Sequence, residues 1–202
     1  PIIASIIVPL TGTQYKALAG FYETYIESAF IPMFLMIPVA LPTAISAYSI
    51  AGEKEAKTIE PLLATPLSNA ELLLGKSLTA LVLSQALTWL SFLIFMLLSF
   101  ITAHSVNLLL WGMIMFVLSP TLTMFGIVAM TLLSVHARGV REAQEMGVFV
   151  MTPMIAVLVL AVMQIIKFNF STLFGMVALF LALDFILLYF GAGSFEREKL
   201  IL

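Results

Sequence analysis

Cysteine is missing from all 202 residues, which excludes disulfides, thiolate metal sites and cysteine nucleophiles together. Charge is nearly as scarce. Asp, Glu, Lys and Arg make up 10% of the chain, against 62% apolar residues. So few charges cannot cover the surface of a water-soluble domain of this length. The solvent must be largely lipid. The net charge of −2 provides no basic field and so excludes nucleic acid as a partner. Histidine occurs twice, at His104 and His136, with no HExxH pattern to hold a metal.

What is abundant is the long uncharged run. No formal charge occurs between Glu27 and Glu53, and none between Lys76 and Arg138. A bilayer crossing needs about 20 apolar residues. The second run is long enough for two crossings, divided at the polar step His104-Ser105-Val106-Asn107. Further runs follow Met146 and Phe170, the last broken by Asp184. The runs are apolar on every face, whereas barrel strands alternate over about ten residues. The expected fold is therefore all-α: a polytopic helical membrane protein with five transmembrane helices at about 29–51, 77–103, 108–135, 146–166 and 170–194. Residues 1–28 form either a short interfacial helix, carrying Tyr15, Tyr22 and Tyr25 at headgroup level, or a linker.

With five crossings, Lys54, Lys57, Lys76, Arg138, Arg141, Arg197 and Lys199 share one side, leaving Lys16 and Lys167 on the other. The positive-inside rule puts the first set, and with it the C-terminus, in the cytoplasm. His104 then lies outside and His136 inside, so they cannot share a metal.

The loop at 52–76 differs from the rest. Glu53 and Lys57 stand at i,i+4 in the favourable order. Ile59, Leu62 and Leu63 provide an apolar face, and Ser68 with Glu71 has capping-box spacing. These features predict a short amphipathic helix, a break at Thr65-Pro66 and a capped second helix; the plainer alternative is a loop anchored by leucines. Within it, Ala70 to Ser77 fits a loosened phosphate-loop pattern. The mechanics fail, because the loop needs a glycine-rich backbone after a strand, and here leucines occupy those positions beside Glu71.

The run from Gly52 to Glu60, then Leu62-Leu-Ala-Thr-Pro-Leu-Ser68 and Glu71-Leu-Leu-Leu-Gly-Lys76, resembles the cytoplasmic loop of type 2 ABC-exporter permeases, above all the sodium- and drug-efflux branch. Fainter echoes occur at Arg138 to Glu145 and in the closing Phe195 to Leu200. The resemblance implies an ATP-driven exporter whose ATP and magnesium sit on a separate ABC ATPase subunit, so this chain has no cofactor and is no enzyme. It implies a second permease copy in a homo- or heterodimer, and location in the plasma membrane. It also implies six spans, so residues 1–28 are expected to be the tail of an external region that follows a further helix. Within the 52–76 coupling loop, Glu53 to Thr65 becomes the coupling helix, with Glu53, Lys57, Thr58 and Glu60 as contacts to the ATPase.

Polar groups inside the spans form a second set of candidates. Asp184 is the one formally charged residue deep within a span, and an ionised carboxylate there costs about 2.5–3.5 kcal/mol on insertion scales. It is either a contact on the translocation path or a carboxyl bonded to a neighbouring helix. Ser84, Thr88 and Ser91 lie at i,i+4,i+7 beside Gln85, and Thr123 and Thr131 lie on the next span. Such stripes mostly serve helix packing. The rarer reading sets Gln85, Thr88 and Asp184 along the path. Pro32, Pro38, Pro42 and Pro120 are expected to kink their helices. An ion-coupled secondary transporter or channel using Asp184 is the alternative function, while a membrane enzyme lacks any grouped nucleophile, base or metal ligand.

Overall fold

The computed structural model describes residues 27–56, 69–101, 108–137 and 139–191. Every element is helical, with no strand among the described residues. The order is α1 (Glu27–Leu35), α2 (Ile37–Glu55), α3 (Asn69–Ile101), α4 (Leu108–Met113), a π-helical segment (Ile114–Leu118), α5 (Ser119–His136), α6 (Val140–Val162) and α7 (Phe170–Gly191). Among the described residues five stretches are long and apolar enough to cross a bilayer: Ile31–Glu53, Gly75–Leu97, Leu108–Ser134, Val140–Val162 and Phe170–Tyr189. In hydrocarbon only a helix or a closed barrel satisfies every backbone group, and these runs choose the helix.

The prolines set the interruptions. Pro38 has no N–H for the Phe34 carbonyl and its ring crowds that oxygen, so the first span breaks at Met36. There the Met36 N–H reaches back only three residues, to the Met33 carbonyl at 3.2 Å, and regular bonding resumes at Ala40, 2.8 Å from the Met36 oxygen. Pro38 itself falls in the first turn of α2, where no donor is required. Pro120 acts in a related way. It cannot donate to Phe116, and the chain leading to it adopts the wider π winding over Ile114–Leu118 before α5 begins.

Helices reach further than the uncharged runs. α2 continues through Glu53 to Glu55, past the expected span end at 51, while α3 starts at Asn69 and α6 at Val140, each ahead of the apolar run in the sequence. The reason is that a gap in charge measures the hydrocarbon layer, whereas a helix continues into the headgroups with Arg141, Glu142 and Glu145 exposed or half-buried on its first turns. The expected helix, break and cap within the 52–76 loop, and the interfacial helix before residue 27, lie largely outside the described residues. Asn69, immediately after Ser68, does open α3.

α5 is the hub of the bundle, packing against α2, α3, α6 and α7. Accordingly 67% of its span is buried, against 22% for each of the spans in α3, α6 and α7. Leu35, Val39 and Ala47 meet a core of Ile114, Leu118, Leu122, Phe125 and Met130, closed on other sides by Met154, Leu173 and Phe180. Trp111 knits three helices, stacking near Phe95 at 4.7 Å and standing edge-on to Phe34 at 6.1 Å. The tightest approach is at Gly126, where a Cβ would lie 3.1 Å from the Val39 carbonyl and 3.0 Å from the Pro42 ring. Absence of a side chain is what lets α5 touch the backbone of α2. The outward faces carry Leu90, Leu97, Phe185 and Tyr189, fully in keeping with lipid as solvent.

Between α6 and α7 the turn is locally encoded. Gln164 takes a left-handed conformation (φ 57°) and the Ile165 N–H returns to the Leu160 carbonyl at 2.9 Å, closing α6. Asn169 and Thr172 then form a reciprocal cap, each side chain accepting the other's N–H at 2.9 Å.

Candidate functional site

At one end of the bundle the last turn of α2 meets the starts of α3 and α6. Glu53 pairs with Lys76, and the same ammonium donates to the Ser49 carbonyl at 3.1 Å. Lys76 is half-buried there and its charge is matched, so the end of α2 and the start of α3 are tied. Glu55, two residues on, accepts the N–H of Val140 at 3.0 Å. Arg141 and Glu145 pair within α6 at 3.3 Å, but both are so exposed that the bond contributes little.

Of the residues expected to contact an ATPase, Glu53 is half-buried in that ion pair, while Lys57, Thr58 and Glu60 lie outside the described residues. Glu55 escaped sequence reasoning. The only signal it leaves is indirect: α6 opens at Gly139, which has no side chain to cap its own helix, so a donor is left for another element to satisfy.

Mid-membrane, α3 and α5 share a polar node. Gln85 donates to the Ser119 hydroxyl at 2.6 Å, and Thr123 donates to the Gln85 carbonyl oxygen at 3.2 Å and to the Ser119 backbone at 3.0 Å. Thr88 spends its hydroxyl on its own helix, at the Ser84 carbonyl 2.8 Å away. Trp89 reaches across to the Met115 carbonyl of the π segment at 3.4 Å. All these polar side chains except Trp89 are buried. The node therefore joins two helices through hydrogen bonds that lipid could not replace.

Asp184 stands apart from that node. It lies on the face of α7 that holds Leu173, Met176 and Phe180, which packs on α5 and the π segment. Its residue is 7% exposed and its Oδ1 has no hydrogen-bond partner. Of the three expected path residues, then, Gln85 and Thr88 share α3 and Asp184 sits on a different helix. Among the described residues no group of three His, Asp or Glu could hold a metal ion.

The described residues form a helical bundle with a charged end. Residues 5–183 match the family model for ABC-2 family transporter proteins. Searches of curated proteins and of solved structures each return no match. With a match covering most of its length, the chain belongs to the ABC-2 transporter family, as a multi-pass membrane subunit of an ABC transport system and not itself an enzyme.

Proposed function

We propose that the chain is the permease subunit of an ATP-driven exporter in the sodium- or drug-efflux branch, with ATP and magnesium bound by a separate ATPase. Two copies, identical or related, enclose the path. The 52–76 loop and the C-terminus face the cytoplasm, and the loop serves as the coupling element. The observation that carries this reading is the Glu53–Lys76 pair, which ties together the two ends from which the loop departs. A subunit without its own nucleotide site must receive force through a surface element, and a loop whose roots are fastened to two helices delivers a push to both. The excess of Lys and Arg on the same side supports the cytoplasmic assignment.

Purification of the tagged chain in mild detergent, with identification of its partners, tests this directly. An ABC ATPase is expected to copurify, and to be lost when Lys57, Thr58 and Glu60 are changed to Ala with Glu53 left intact. The further change Glu53→Ala separates docking from fastening, since it also releases Lys76. An ATPase retained in the triple variant rejects the docking site; impermeant labelling of Lys54 from outside the cell rejects the topology.

The unpartnered Oδ1 of Asp184 favours one second reading, transport coupled to an ion at that carboxyl. Asp184→Asn separates the two. Transport that survives the change and still requires ATP hydrolysis supports the exporter, whereas its collapse with the ATPase still bound supports ion coupling.

A further inference from the structure

We propose that Glu55 is a positioning residue that fastens the start of α6 to the end of α2, so that a load arriving at α2 moves both helices as one body. α6 has Gly139 at its N-cap, a residue with no side chain to accept from the first free N–H groups. Glu55 supplies the missing acceptor from another helix, at 3.0 Å from the Val140 nitrogen. A carboxylate is well suited to the task, because the partial positive charge of a helix N-terminus favours an anion.

The fit around this bond is close. A Cβ on Gly139 would stand 3.2 Å from the Glu55 Oε2, close enough that a side chain there would displace the carboxylate by a few tenths of an ångström. The conformation of Gly139 (φ −167°, ψ 178°) is extended and open to any residue, so backbone strain plays no part. One turn earlier on α2, a Cβ on Gly52 would touch Val140 Cγ2 at 3.6 Å, which places the Val140 side chain against the α2 backbone.

Helical winding explains why one turn can hold two neighbours. Residues two apart on a helix point about 200° apart. Glu53 therefore reaches α3, through Lys76, and Glu55 reaches α6. The last turn of α2 becomes a fork with a carboxylate on each prong. Glu55 is exposed, so water competes for it and the latch shifts a population of states without locking one. Its mechanical meaning rests on the ATP-driven reading above; the latch itself does not.

The absence of native cysteine makes the test clean. Spin labels on Ala56→Cys and Gln144→Cys, both exposed positions, report the separation of the two helix ends by pulsed electron resonance in the full chain in lipid nanodiscs. A single narrow distribution is expected. Glu55→Ala should raise a second, wider component by about two- to fivefold, the range set by a charge at a helix N-terminus. Glu55→Gln keeps an accepting oxygen without the charge and should fall between the native chain and Glu55→Ala. Val140→Pro deletes the donor while leaving a residue favoured in the first turn of a helix, so it should reproduce Glu55→Ala, and the two changes together should add nothing further. Unchanged distributions in both single variants, or fully additive effects, would overturn the latch. In the complex with a captured ATPase, ATP and vanadate should leave the 56–144 separation fixed in the native chain and alter it in Glu55→Ala; equal change in both rejects joint motion. A chain that captures no ATPase yet responds to Glu55→Ala retains the latch and loses the exporter reading.

Discussion

Exchanging Gly126 for alanine should loosen the bundle, while the same exchange at Gly175 should tighten it. Both glycines lie inside helices, where alanine is favoured over glycine by about 1 kcal/mol. That gain is common to the two sites and cancels when they are compared. The difference lies in what the new methyl meets. At Gly126 it would stand 3.0 Å from Pro42 Cγ, 3.1 Å from the Val39 oxygen and 3.6 Å from Thr43 Cγ2, whereas at Gly175 nothing lies within 4 Å. Comfortable carbon contacts begin at about 3.5 Å. Neither the proline ring nor a carbonyl inside α2 can rotate away, so α2 and α5 must part. Overpacking of this kind costs about 1–3 kcal/mol, and the two variants should therefore differ by that amount. Gly126→Ala alone ends near neutral or destabilised by up to about 2 kcal/mol, once the helix gain is subtracted. Unfolding in detergent, followed by the fluorescence of buried Trp111, measures the midpoints. Equal stabilisation of both variants would refute the close approach of α5 to α2.

Two further outcomes follow from the hydrogen bonds. Gln85→Leu removes both side-chain bonds to Ser119 and Thr123, and at about 0.6 kcal/mol per bond in a membrane should destabilise the fold by roughly 1 kcal/mol. Transport per folded molecule should be unchanged if the node is packing; its loss at full stability would instead put Gln85 on the path. Asn169→Ala removes the side-chain acceptor of the Thr172 N–H at the start of α7, for about 0.5–2 kcal/mol. Hydrogen exchange should show faster opening of the first amides of α7, and an unchanged rate there would refute the cap's contribution.

The five crossings could be read from the chain because hydrocarbon leaves the backbone so few choices. Pro38 and Pro120 likewise marked interruptions, whereas Pro42 and Pro153 lie inside continuous helices, since a membrane helix tolerates a missing N–H where its neighbours support it. The residues of the 52–76 loop carried the family resemblance, and the match over residues 5–183 confirms it at the level of the family. Partners across the bundle were a different matter. Lipid is as apolar as leucine, so an uncharged run is satisfied by any neighbour and does not say which helix it will face. Small gaps and distant polar groups decide that. Gly126 selects the backbone of α2, Gln85 finds Ser119 34 residues away, and Glu55 finds Val140 across 85. The burial of Asp184 against α5 has the same origin, for helical periodicity fixes which residues share its face but not the element that covers them. Sequence alone thus determined that these segments are helices in lipid, because that follows from the solvent; only their packing determined which carboxylate caps α6 and which glycine admits α2, because those contacts exist only between surfaces brought together.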